Sequence, residues 1–172
     1  MKLKFIAAGV LAAASFSASA TDHQLGILDP TGSDTLSGFS EKFVVSGTAI
    51  KDSWFFQLLT PSAASFGAQQ TFAAPVNAIS NFSGTLFSAD GTVKYGSLTS
   101  LIGAKDQSLS WGSALGTGSY RVDITGLTSA PRTQYTATVS ALPVPEPETY
   151  GMLLGGLALV GAVARRRAKK AA

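Results

Sequence analysis

Three prolines within five residues, Pro143, Pro145 and Pro147, divide this 172-residue chain into a part that can build a core and a part that cannot. Each proline fixes φ at about −65° and lacks an amide donor, so the stretch joins neither a helix nor an inner strand. Behind it, Gly151–Ala164 carries no polar side chain, and Arg165-Arg166-Arg167-Ala168-Lys169-Lys170 follows. As a helix the 14 apolar residues would reach about 21 Å, short of the roughly 30 Å hydrocarbon core of a bilayer. With Tyr150 at one interface and arginine stems snorkelling at the other, residues 150–164 are expected to form a short transmembrane helix. The five cations would hold its end in the cytoplasm. A helix buried in a core is the alternative, but such a helix seldom lacks a polar face and then ends in a basic cluster.

The opposite end also reads as an address. Lys2 and Lys4 precede the apolar run Phe5–Ala14, and Ala18-Ser19-Ala20 supplies small residues for cleavage. That order is expected of a signal peptide over residues 1–20, recognised at Ala18 and Ala20, leaving Thr21 as the first mature residue. The chain is therefore expected to be exported.

These two segments account for the basic character of the whole chain, formally +3. Between Thr21 and Leu142 six cations face eight acids, a net charge of −2. A nucleic-acid partner loses its support there. No cysteine is present, which excludes disulfides, thiolate metal sites and a cysteine nucleophile. About 120 residues are enough for one domain held by its hydrophobic core, and too few for two.

Residues 21–142 read as β. Tyr120-Arg-Val122-Asp-Ile124 alternates apolar and polar positions, as does Tyr135-Thr-Ala137-Thr-Val139-Ser-Ala141. Gly126–Arg132 lies between them, so the pair is expected to form a hairpin. Glu41–Gly47, Ile50–Leu59, Ala78–Phe87, Thr92–Leu98 and Gln107–Trp111 are further strand candidates. Apolar residues on both faces of Ile50–Leu59 predict cover on both sides. Asp90-Gly91 marks a hairpin turn. No long helical periodicity interrupts the pattern. The expectation is a single all-β domain, an antiparallel β-sandwich of jelly-roll-like form.

Val144-Pro-Glu-Pro-Glu-Thr-Tyr150, followed by the apolar run and the arginine triplet, resembles a PEP-CTERM sorting signal over about Pro143–Lys170. An LPxTG sortase signal is absent. The resemblance implies recognition through Pro145, Glu146 and Pro147, supported by Arg165, Arg166 and Arg167. It also implies an exosortase, a membrane cysteine transpeptidase of Gram-negative bacteria, as the processing partner. Such a protein would pause in the inner membrane and reach the outer surface or extracellular matrix, in bacteria that generally make exopolysaccharide. More weakly, the domain is similar to the FxDxF group of these proteins. The matching stretches are Gly47–Phe56, Ala78–Phe87, and Gly116–Gly126 with Tyr135, although Ile50 and Trp54 stand in place of the two phenylalanines around Asp52.

Chemistry finds little footing. The one histidine, His23, would lie three residues into the mature chain, where termini are seldom held for a Ser-His-Asp arrangement. The eight acids single out no glycosidase pair. Asp52 is read as bracing a turn through backbone amides. Asp22, Asp29 and Asp34 offer hard oxygen ligands suited to calcium, but their spacing fits no EF-hand loop. Neither a metal site nor a cofactor is expected. Asn81-Phe82-Ser83 fits a glycosylation pattern by coincidence. The domain is thus expected to be a non-enzymatic surface or matrix protein. The alternative is a carbohydrate-binding module for the matrix polysaccharide, with Trp111 and Trp54 as glycan contacts. A flat strip of exposed rings would favour binding, whereas buried rings would leave display.

Overall fold

The computed structural model describes residues 18–29, 31, 34–144 and 151–161. Ten strands follow in order: β1 (Ala18–Leu28), β2 (Asp34–Phe39), β3 (Ala49–Leu58), β4 (Ser62–Thr71), β5 (Ser80–Ser88), β6 (Lys94–Ser97), β7 (Thr99–Ile102), β8 (Asp106–Leu115), β9 (Gly118–Leu127) and β10 (Thr136–Pro143). They form two five-stranded sheets, ordered β1-β3-β9-β5-β6 and β2-β10-β4-β8-β7. The sheets face each other as a sandwich, and every pairing but one is antiparallel. The exception is β1, which runs parallel to β3.

Period-2 alternation explains the core. In β3 the side chains of Ile50, Trp54, Phe56 and Leu58 point inward and are almost wholly buried. Val122 and Ile124 of β9 and Val139 of β10 do the same from the two sheets. The second face of β3 is half-buried at Ser53, Phe55 and Gln57 and open at Leu59, so the strand is fully covered on one side only. Small residues at Ala64 and Ala68 of β4, both buried, let the facing sheet approach. That strand was not expected, because serine, alanine and glycine carry little β signal on their own.

Two further expectations need correction. The β9–β10 hairpin does not form: β9 lies between β3 and β5, while β10 lies between β2 and β4 in the other sheet. The connecting segment crosses the sandwich and is pinned as it does so. Buried Thr128 donates to the Val45 carbonyl and accepts from the Thr48 amide, each at 2.9 Å. Glu41–Gly47 forms no strand either, and keeps only an isolated bridge between Phe43 and Thr133. By contrast, β5 and β6 pair around the Asp90-Gly91 turn as expected. Gly91 takes φ 75° there, and the Asp90 carboxylate accepts from the Thr92 amide at 3.1 Å.

Residues 1–17, most of the expected signal peptide, lie outside the described residues. Ala18, Ser19 and Ala20 pair with Ala49, Ile50 and Lys51 at the start of β1. Cleavage after Ala20 would shorten this edge strand to Thr21–Leu28 and leave most of its register intact.

Candidate functional site

Strand β10 carries the chain out of the sandwich. Its last residue, Pro143, pairs with Ser62 of β4, and Val144 beyond it is exposed. Proline ends the ladder here because it brings no amide. Pro145, Glu146 and Pro147 lie outside the described residues, as do Arg165, Arg166 and Arg167. Of the expected membrane span 150–164, residues 151–161 are described. They are helical and exposed throughout, so this helix adds nothing to the core. Eleven helical residues extend about 16 Å, and no helix among the described residues is long and apolar enough to cross a membrane.

Inside the sandwich, the inward face of β3 carries a carboxylate where an apolar side chain would be ordinary. Asp52 does not brace a turn: it sits mid-strand and is 1% exposed. The Tyr135 hydroxyl donates to its Oδ2 at 2.5 Å and accepts from the Trp54 indole Nε1 at 3.0 Å. The imidazole of His23, ordered in β1, stacks on Trp54 with centroids 4.0 Å apart and planes 13° apart. Its Nε2 lies 3.9 Å from Asp52 Oδ2, beyond hydrogen-bonding distance. His23 Nε2 and Asp52 Oδ1 are buried without hydrogen-bond partners.

Burial is the main force on these groups. It raises the Asp52 carboxyl above its ordinary 3.8, against the opposing pull of the Tyr135 hydrogen bond and the His23 charge. Burial also raises the Tyr135 hydroxyl, and the neighbouring Asp52 adds to that shift. Among the described residues no serine or threonine hydroxyl bonds to His23. Tyr135 and Asp52 instead join the two sheets through a polar bond in an apolar layer.

The expected glycan contacts are drawn apart. Trp54 is 1% exposed, which takes its ring out of reach of a sugar. Trp111 is half-buried and packs against the core. Tyr120 is buried and donates to the Gly116 carbonyl at 2.8 Å. Among the described aromatics the exposed rings are Phe39, at 69%, and Tyr95, at 44%, and they belong to different sheets. They form no strip. Nor do Asp22, Asp29 and Asp34 make a cage: among the described residues no three His, Cys, Asp or Glu side chains come together to hold a metal. The Asp34 carboxylate accepts from the Asp29 amide at 3.2 Å instead.

The sequence reading passed over His23 and Tyr135 as a pair with Asp52. A signal was present: Ile50, Asp52 and Trp54 share one face by period 2, so an aspartate amid inward apolar residues must find a partner across the core.

A family model described as the PEP-CTERM protein-sorting motif matches residues 143–167. The match lies wholly in the sorting segment and does not bear on the FxDxF group. It implies export and processing by an exosortase. No curated protein matches the chain. Among solved structures, the pre-peptidase C-terminal domain of a Bacillus anthracis collagenase is 12% identical, with 72% of this chain and 96% of that one covered and a TM-score of 0.44. The CBM35 of Cellvibrio japonicus Abf62 is 15% identical, covering 63% and 75%, with a TM-score of 0.36. The globular domain of zebrafish complement 1qA is 18% identical, covering 54% and 70%, with a TM-score of 0.31. These scores are too low to carry an argument.

Proposed function

We propose, from the PEP-CTERM protein-sorting motif that this chain carries at residues 143–167, that it is a non-enzymatic surface or extracellular-matrix protein associated with exopolysaccharide or biofilm. In this reading the signal peptide is removed after Ala20, and residues 150–164 hold the protein in the inner membrane of a Gram-negative bacterium. An exosortase then acts at the Pro145-Glu146-Pro147 elbow and passes the sandwich to the outer surface.

One observation carries the reading: the sorting motif begins where β10 ends. A cut beyond Pro143 spares every strand and releases the domain whole. Display is supported by the inward aromatics, Trp54 and Tyr120 among them. Carbohydrate binding is a second reading. Trp54 gives it no support, whereas the exposed Phe39 ring does.

Replacing Pro145, Glu146 and Pro147 with alanines tests the assignment. The expected outcome is an unprocessed chain held at the membrane, with the thermal unfolding of the sandwich unchanged. Normal maturation of that variant would refute it.

A further inference from the structure

At one end of the β2-β10-β4-β8-β7 sheet an open cleft of about 420 Å³ lies between the strand ends and the segment entering β10. Phe39, Gln69, Arg132 and Gln134 line it. The order is fixed by register, since Phe39 of β2 faces Thr136 of β10 and Thr136 faces Gln69 of β4. Arg132 is the one charged residue among the lining residues. It is exposed and makes no ion pair with a described residue. In a domain of net charge −2, the cleft is therefore a local positive site, with no carboxylate among its described lining residues.

Arg132 also holds φ 62°, a left-handed conformation that glycine adopts freely and arginine does at a cost. Such strain tends to persist where it aims a side chain. A smaller groove of about 200 Å³ adjoins the cleft, sharing Gln69 and Thr136 and bordered by Gly67 and Thr138. Nothing in the packing demands glycine at position 67: its φ is ordinary, and a Cβ there would meet only the Leu109 carbonyl, at 3.6 Å. A glycine inside a strand with room to spare leaves space for something approaching from outside.

We propose that this cleft binds a carboxylated sugar unit of an extracellular polysaccharide. The Arg132 guanidinium takes the carboxylate through its paired donors. Phe39 packs against the apolar C–H face of the ring, and Gln69 meets its hydroxyls together with the Gln134 Oε1, whose Nε2 donates to the Ser40 carbonyl at 2.8 Å. The neighbouring sugar runs along the hydroxyl-walled groove over Gly67. The inference deepens the matrix reading and rests on the protein's being outside the cell.

Isothermal titration of the full chain in mild detergent, with alginate and polygalacturonate oligosaccharides, tests it. Dextran oligosaccharides and polyglutamate serve as the uncharged-sugar and charge-only probes. Saturable binding is expected with at least one acidic oligosaccharide, and Arg132→Gly should weaken it about tenfold. Because glycine relieves the backbone, that variant should unfold at the same temperature or higher. Gly67→Gln should fill the groove and also weaken binding while leaving Arg132 in place. The proposal fails if neither acidic oligosaccharide binds, if Arg132→Gly binds as well as the parent, or if polyglutamate or dextran binds equally. It also fails if Gly67 and Phe39 prove to lie in an interface between two copies that excludes sugar. Titration is blind to proteolytic maturation, so its failure would leave the sorting assignment standing, and the reverse holds as well.

Discussion

At the scale of single residues, the Asp52–Tyr135–Trp54 chain of hydrogen bonds carries the greatest consequence, because each member is almost wholly buried. Tyr135→Phe removes both the donor to Asp52 and the acceptor for Trp54 Nε1 while keeping the ring. It should cost about 1–3 kcal/mol of stability, read from denaturant unfolding, since buried polar groups are left unsatisfied. A change within error would mean that the network contributes nothing. The pH dependence has a definite sign. Burial raises the Asp52 carboxyl above 3.8, so the folded state holds its proton more tightly than the unfolded chain does. The stabilisation is complete below the unfolded value and is lost as pH climbs through the folded one. The stability of the parent relative to Asp52→Asn should thus fall as pH rises above the ordinary carboxyl value of 3.8. A flat or rising difference would contradict the raised carboxyl.

At the scale of elements, two strand glycines make opposite predictions. Gly38 of β2 lies over the Trp54 indole, where an added Cβ would sit 2.8 Å from Cζ3. Gly38→Ala should push β2 off the core at a cost of about 1–3 kcal/mol. Gly67 of β4 has room, so Gly67→Ala should gain roughly 0.5–1 kcal/mol through a less flexible unfolded chain. Denaturant midpoints of the two variants on opposite sides of the parent check both together. Existence of strands was legible where apolar residues alternate, as at Tyr120–Ile124 and Tyr135–Ala141. Their partners were not, because alternation fixes a face and says nothing of which neighbour lies 4.8 Å or so away. The loop 128–135 is pinned to Val45, Thr48 and Phe43 by contacts some 80 or more residues distant, a closure that no short window displays. Strand β1 was missed for another reason: its first residues read as a cleavage site, and one segment can serve both roles at different times.

At the scale of the whole molecule, the address was legible and the interior site was not. A sorting signal is read by an enzyme as a linear string, so proline elbow, apolar run and basic tail stand in order in the sequence itself. The His23–Asp52–Tyr135 cluster and the Arg132 cleft are assembled from β1, β3, β2, β4 and the segment before β10, and exist only once the sheets close. The division has a mechanical meaning. The last strand, β10, ends at Pro143, where the sorting motif begins, so a cut beyond it removes no described strand. Trimming the tail should leave the unfolding temperature of the sandwich unchanged. The central claim, an exported domain released or displayed by cutting at its proline elbow, is tested most directly by the intact mass of the protein recovered from the native cell surface or medium. Loss of Met1–Ala20 together with a C-terminal cut close to Pro147–Gly151 is the predicted result. A mass that still includes the tail through residues 151–172 would contradict it.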